Sequence, residues 1–265
     1  MIANYHTHTR WCNHGQGEIK DYIKKAIELG FEEIAMTEHV PHKDNADPYR
    51  MLWEDFEAYN RELDEVIEKY KDEIKVIKGF EAEYYLDALE NYEMFKDKYG
   101  YELFVLGQHR SGKNREMDNF GPKNARELMQ YAKEVREALY SGIFAFVAHP
   151  DLALEGYNNN EWDETCERAM RIIFQACEDL DIPIEINGNG LRNGRRYPDK
   201  KVFELSKEYD IKYILNSDAH APEELLDEAV MRGKAMAEEL GIKLIDKLDY
   251  KKERYKGYSL ENVSS

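Results

Sequence analysis

Seven short apolar runs divide this chain, each followed by a longer amphipathic, charge-rich stretch, and nearly every run ends at a histidine or carboxylate. The runs cover residues 2–5, 33–37, 74–80, 103–107, 143–148, 182–186 and 212–216. Their ends read His6-Thr7-His8, Glu38-His39, Glu81-Ala82-Glu83, His109, His149, Glu185-Ile186-Asn187 and Asp218-Ala219-His220, with His14 following in the first loop. Of eight histidines, only His42 falls outside the pattern, three residues past His39. The runs are rich in Ile, Val, Phe and Tyr and several are apolar throughout, as parallel strands covered on both faces should be. Helical periodicity fills the gaps at residues 18–29, 53–71, 87–99, 125–140, 163–180, 200–209 and 222–240. Gly30 and Gly241 sit where a left-handed helix C-cap prefers glycine, and Pro222 sits near a helix start.

Repeated βα units with right-handed crossovers give an open doubly wound sheet or a closed barrel. An open sheet gathers its site at one switch point, so few strand ends carry function. Here all seven strands end in metal-type or polar residues, which predicts a ring of loops around one mouth. Seven units rather than eight predict a distorted barrel. The tail offers one more short strand at residues 243–245 and then a charged, peripheral ending. No linker-like Gly/Ser/Pro stretch interrupts the 265 residues, so the reading is one domain over 1–265, with 242–265 as a C-terminal extension.

A chain of this length buries a large core without staples. Three cysteines, Cys12, Cys166 and Cys177, show no paired spacing, and their odd number argues for a reducing compartment, expected to be the cytoplasm. Cys12, beside the first histidines, is a weaker ligand candidate. A net charge of −17 opposes nucleic acid and anionic membranes as partners. No stretch approaches the roughly 20 apolar residues of a bilayer span. Met1 to Tyr5 runs straight into the histidine pair, so no signal peptide is expected.

Histidine and carboxylate are ligands of divalent metals. His6 and His8, two apart on an extended segment, point to one side and can grip one ion; Glu81 with Glu83, and Asp218 with His220, repeat that spacing. One such histidine is usually structural, but seven at the strand ends of one pattern call for a common reason to crowd.

The pattern resembles the PHP family, the polymerase and histidinol phosphatase superfamily, over almost the whole chain. His6-Thr7-His8, Glu38-His39, His149-Pro150 and Asp218-Ala219-His220 stand in the family's order, with Glu81, His109 and His14 at further ligand positions. The resemblance implies a distorted (β/α)7, TIM-like barrel with two or three divalent ions (zinc, manganese or iron) at the C-terminal ends of its strands. It assigns His6, His8, Glu81 and Asp218 to one ion. Glu81, His109 and His149 would hold a second, and His14, His39 and His220 a third. The implied reaction is hydrolysis of a phosphomonoester by a metal-activated hydroxide, with Asp218 steering that nucleophile or taking its proton.

Arginine forks suit phosphate. Loop arginines are Arg10, Arg50, Arg110, Arg115, Arg192, Arg195 and Arg196. Arg192 is the first candidate, because residues 185–192 resemble the matching segment of histidinol phosphatases, including Gly190-Leu191-Arg192. His42 is the second, contacting phosphate or protonating the leaving alkoxide. Glu83 and Glu185 would meet a substrate cation or support histidines from behind. Chain length, the Gly-Leu-Arg segment and the lack of an attached polymerase favour the stand-alone histidinol-phosphatase type, acting on L-histidinol phosphate. Two departures separate the chain from better-known members: Gly107-Gln108-His109-Arg110 replaces a Val-His form, and residues 151–161 hold no arginine. The alternatives are another small phosphorylated metabolite as substrate, or a metal-binding regulatory domain without turnover.

Overall fold

Parallel strands dominate the computed structural model, which describes residues 1–252. The strands are β1 (Ala3–Asn4), β2 (Glu33–His39), β3 (Lys75–Ala82), β4 (Leu103–Leu106), β5 (Arg110–Ser111), β6 (Met117–Asp118), β7 (Phe146–Val147), β8 (Ile184–Asn187) and β9 (Tyr213–Asn216). Seven of them form one sheet in the order β1-β2-β3-β4-β7-β8-β9, all neighbours parallel. Between them run α1 (Ile19–Glu28), α2 (Phe56–Tyr70), α3 (Leu89–Tyr99), α4 (Ala125–Tyr140), α5 (Glu164–Leu180), α6 (Gly188–Arg192), α7 (Lys200–Ser206) and α8 (Glu228–Leu240). The expected seven strands are therefore all present, in a nearly closed (β/α)7 barrel. None of the described helices is long and apolar enough to cross a membrane.

Strand alternation sorts the side chains into two layers. Ile34 and Met36 of β2, Phe80 of β3, and Phe104 and Leu106 of β4 pack outward against the helices. Ala35, Ile77, Leu103, Val105, Phe146 and Ile214 point inward and fill the barrel's lower half. Further along the same inward rows come Thr37, His39, Glu81, Glu185, Asn187 and Asn216, so an apolar floor carries a polar ring.

The barrel's last seam is made by side chains rather than a ladder. Asn216 accepts from the Tyr5 N–H at 2.9 Å, and Asn4 accepts from the Ser217 N–H at 2.8 Å. A single parallel bridge between Thr7 and Ala219 completes it. This join sets the first histidine pair beside Asp218.

The tail departs from expectation. No strand forms at 243–245; a single bridge joins Leu244 to Tyr213. The next residues are not peripheral either: Leu248 and Tyr250 are buried against the barrel's inner apolar floor, and the Leu248 N–H donates to the Tyr5 hydroxyl at 2.9 Å. The lower opening needs an apolar cover, and two residues of the charged tail supply it. The remainder of the 242–265 extension, from 253 onward, lies outside the described residues.

The helix expected over 222–240 is also broken. Residues Pro222–Leu226 form a 3-10 turn, and extended Asp227 then caps α8 by accepting from the Val230 N–H. An aspartate able to take an N-terminal amide competes with helix continuation. Asn124 and Asp163 cap α4 and α5 in the same way.

Replacing Asn216 with leucine strands the buried Tyr5 N–H. We expect a loss of about 1–3 kcal/mol, read in urea unfolding as a lower midpoint at unchanged slope.

Candidate metal centre

Glu81 occupies the inward row of β3 and is directly opposite His39 of β2 in the parallel register. Its carboxylate is buried, and histidine nitrogens surround both oxygens. Oε2 lies 3.4 Å from His6 Nε2, 3.3 Å from His8 Nε2 and 2.9 Å from His39 Nδ1. Oε1 lies 2.8 Å from His149 Nε2 and 3.3 Å from His109 Nε2. Asp218 Oδ1 is 3.6 Å from His6 Nε2 and 3.3 Å from His8 Nε2. On the outer side, His14 Nε2 and His220 Nε2 face one another at 3.0 Å. All nine residues expected as ligands thus converge on one mouth.

The grouping is tighter than expected. His8 stacks against both His39 (4.2 Å between ring centres) and His220 (4.6 Å), so it adjoins the outer trio as well as His6. Cys12 is buried beside the outer histidines, its sulfur 3.9 Å from His14 Nε2, and its thiol also bonds to the backbone. It donates to Thr9 O and accepts from the Gly15 N–H, both at 3.1 Å, which folds the loop that presents His14.

Four histidines are oriented from behind. His6 Nδ1 meets Glu185 at 2.9 Å, His109 Nδ1 meets Glu83 at 3.0 Å, His14 Nδ1 meets Cys12 O at 2.8 Å, and His220 Nδ1 meets Asp218 O at 3.1 Å. A proton on each Nδ1 leaves the Nε2 lone pair facing inward, the arrangement that metal-binding histidines use. Glu185 also accepts from the backbone N–H of His149 and from Asn187 and Asn216. Glu83 takes Arg50 as well. Both carboxylates are wholly buried, with His109 and His6 among their partners.

Without an ion this cluster is poorly satisfied. His6 Nε2, both nitrogens of His8, His39 Nδ1 and Asp218 Oδ1 are buried with no hydrogen-bond partner. His39 Nδ1 stays an orphan even at 2.9 Å from Glu81, because the angle is wrong for a hydrogen bond. Unpartnered buried polar atoms are rare and costly. Ligands about 2.1 Å from a tetrahedral ion lie about 3.4 Å from one another, and the His6, His8, Glu81 and Asp218 separations fall around that value. The donor set therefore fits divalent metal.

Charge in the cluster is strongly coupled. For Glu81, burial opposes ionisation, but His109, His6 and His39 outweigh it and hold the carboxyl well below its usual range. Asp218 is held low in the same way by His6, His8 and His220. Burial pulls the His109 imidazolium down, but Glu81 and Glu83 prevail and raise it to about 9. At the outer edge burial and the charge on His8 win, and His220 falls to about 3.

The backbone is shaped to the same end. His149 (φ 31°) and Asp218 (φ 45°) both lie in the left-handed region, which is strained for residues other than glycine and recurs at functional sites. At Gly107 a side chain is impossible: an added Cβ would stand 2.0 Å from Glu81 Oε1. The sequence pattern had no means of flagging this glycine, since its constraint is another strand's carboxylate.

Above the cluster opens a cavity of about 620 Å³, lined by His14, His39, Glu81, His109, His149, Asp218 and His220 together with Tyr49, Phe120 and Tyr197. Arg192, expected at the phosphate, is not on its wall. Its guanidinium binds Asp227 at 2.7 Å, Ser217 O at 3.3 Å and Glu224 O at 3.1 Å, because Asp227 left the helix and turned toward it. The arginines on the wall are Arg50, Arg110 and Arg195. His42 lies instead in an adjoining cavity of about 410 Å³, which shares Asp47, Tyr49, Arg50 and Arg110 with the first. Its Nε2 is an orphan 3.7 Å from Glu83.

Gly107→Ala should displace Glu81 while leaving the helices in place. We expect metal content, measured by plasma mass spectrometry, to fall below half that of the unaltered protein, about the scale of a disturbed ligand support. Circular dichroism should stay unchanged.

Comparison with known proteins places this geometry. The sequence model described as PHP domain matches residues 4–189. A Schizosaccharomyces pombe protein named "Probable histidinol-phosphatase" is 27% identical, covering 85% of this chain and 82% of that one. The Bacillus subtilis "Histidinol-phosphatase" is 23% identical over 81% of this chain and 92% of its own length. In fold, the chain is similar to the histidinol phosphate phosphatase of Lactococcus lactis, solved with zinc, L-histidinol and phosphate. That match has a TM-score of 0.72 and 16% identity, and it covers 94% of this chain and 97% of the other. With its strand order, its ring of histidines and the match over most of its length, the chain belongs to the PHP domain family.

Proposed function

We propose that this protein is a metal-dependent phosphomonoesterase that hydrolyses L-histidinol phosphate to L-histidinol and phosphate. The observation that carries the reading is the Glu81 carboxylate with five histidine nitrogens around it and Asp218 beside it. The substrate reading is supported by curated relatives named histidinol-phosphatase and by the fold shared with a relative solved with histidinol and phosphate. The intact set of nine candidate ligands speaks against a regulatory domain that has lost turnover.

We read His6, His8, Glu81 and Asp218 as one ligand set, Glu81 with His109 and His149 as a second, and His14, His39 and His220 as a third. Two or three ions would be held; mixed imidazole and carboxylate sites suit zinc, manganese or iron. When bound, such ions lower the pKa of water and offset charge on phosphoryl oxygens.

The chain's own residues do the rest. Asp218 Oδ2 accepts from Asn187 at 3.0 Å, which fixes the carboxylate and leaves Oδ1 directed at His6 and His8. Held ionised, Oδ1 is placed to orient an attacking water and accept its proton. Glu185 and Glu83 keep His6 and His109 in one tautomer, so the inner nitrogens need no reorganisation during turnover. His42, with its unpartnered Nε2 in the adjoining cavity, is placed to meet the leaving group.

A phosphate-release assay on metal-loaded protein, with histidinol phosphate, sugar phosphates and a dinucleotide, tests the reading. Histidinol phosphate should give the highest kcat/KM. No release from any of them would contradict the enzyme, and preference for a sugar phosphate would remove the histidinol assignment. His6→Ala and Asp218→Ala should each lower kcat about a hundredfold or more without unfolding the barrel. Near-normal rates in both would contradict the site. Chelation should abolish activity and lower the thermal midpoint, since an ion bound only by the folded state stabilises it. Restoring zinc or manganese should reverse both effects.

A further inference from the structure

A phosphoryl group must enter a cavity whose walls carry Asp47, Glu81, Asp118, Asp218 and Glu224, in a protein of net charge −17. Ions at the histidine cluster would offset part of that field, but the outward oxygens of a phosphate still need a donor. Three arginines reach the wall, and two are committed. Arg50 is buried in ion pairs with Glu83 and Asp47. Arg195 binds Glu155 at 2.6 Å and leans over Phe120. The other loop arginines are tied too: Arg10 to Glu18 and Glu62, Arg115 to Asp44 and Asp87, Arg192 to Asp227, and Arg196 to Asp199.

Arg110 differs from all of these. It is exposed, and among the described residues its guanidinium makes no ion pair or hydrogen bond. Its backbone is nevertheless fixed, because its carbonyl accepts from Gln108 at 2.9 Å and from the Tyr85 hydroxyl at 3.4 Å. Asp118 stands opposite it in the β5–β6 hairpin, but that carboxylate accepts the Phe120 N–H. Arg110 also follows His109 directly and lines both cavities. It therefore stands at their junction, where the bond between phosphorus and the leaving oxygen lies if the phosphate sits at the cluster and the leaving group in the side cavity.

We propose that Arg110 is the phosphate-gripping arginine of this enzyme, taking the role that sequence alone suggests for Arg192; this rests on the phosphomonoesterase reading. A free fork on a pinned backbone can bind two phosphate oxygens without first breaking an internal ion pair.

Metal-loaded wild-type, Arg110→Ala and Arg110→Lys proteins should be compared for kcat, KM and inhibition by inorganic phosphate. Arg110→Ala should lower kcat/KM for histidinol phosphate and weaken phosphate inhibition in parallel. Each change should be about ten- to a hundredfold, the scale of a charge-assisted hydrogen bond. Arg110→Lys, with charge but no fork, should fall between. Metal content and thermal midpoint should match the wild type, since the side chain is exposed and unpaired. Unchanged kcat/KM and unchanged phosphate inhibition in Arg110→Ala would overturn the proposal. If the wild type hydrolyses none of the substrates, titration of inorganic phosphate by calorimetry decides separately. Weaker binding in Arg110→Ala keeps the anion site while removing the activity; equal binding, or none in the wild type, overturns the assignment of Arg110.

Discussion

One buried carboxylate governs this molecule. Glu81 brings a negative charge to the centre of the barrel's upper half, where burial alone would neutralise it. Five histidines from four strand ends approach within 3.4 Å of it, and the field of its neighbours keeps it ionised. Much of the surrounding structure is a consequence. Gly107 has no side chain because Glu81 occupies the space. His39 sits in direct register with Glu81 across the β2–β3 ladder. His149 and Asp218 hold strained backbone angles on its flanks. Behind the ring, Glu185 and Glu83 fix tautomers, and the Asn4 and Asn216 side chains close the seam that carries His6 and His8.

The strands and the site's residues were readable because both follow short periods. Parallel strands buried on two faces leave apolar runs of four to eight residues, and in this fold chemistry gathers where such runs end. All seven barrel strands and the convergence of all nine candidate ligands follow from that rule. What escaped depends on partners distant in sequence. Asp227 looked like one more helical acid until Arg192 and the Val230 N–H claimed it, which both broke the helix and withdrew Arg192 from the cavity. Leu248 and Tyr250 looked peripheral in a charged tail because nothing local says that the barrel floor is open. The hairpin of β5 and β6 is too short for periodicity, yet it presents Arg110. Glu83 and Glu185 were left between two roles by sequence, and their complete burial behind His109 and His6 favours the supporting one.

Charge patterning separates the two jobs an acidic phosphatase must reconcile. Over the surface, several arginines are held in ion pairs, as Arg10, Arg171 and Arg195 are, and the chain keeps a net charge of −17 that repels polyanions. Inside the mouth, histidines form a cluster suited to metal, and Arg110 has no ion pair among the described residues at the junction of two cavities. A small phosphorylated molecule can satisfy both features at once.

Anomalous diffraction from crystals of the metal-loaded protein tests the central claim most directly. The account predicts peaks on both sides of the Glu81 carboxylate, about 2.0–2.2 Å from its two oxygens. One should be ringed by His6, His8 and Asp218, and the other by His109 and His149. Absence of any peak within bonding distance of Glu81, or metal bound elsewhere with the histidine ring intact, would contradict it.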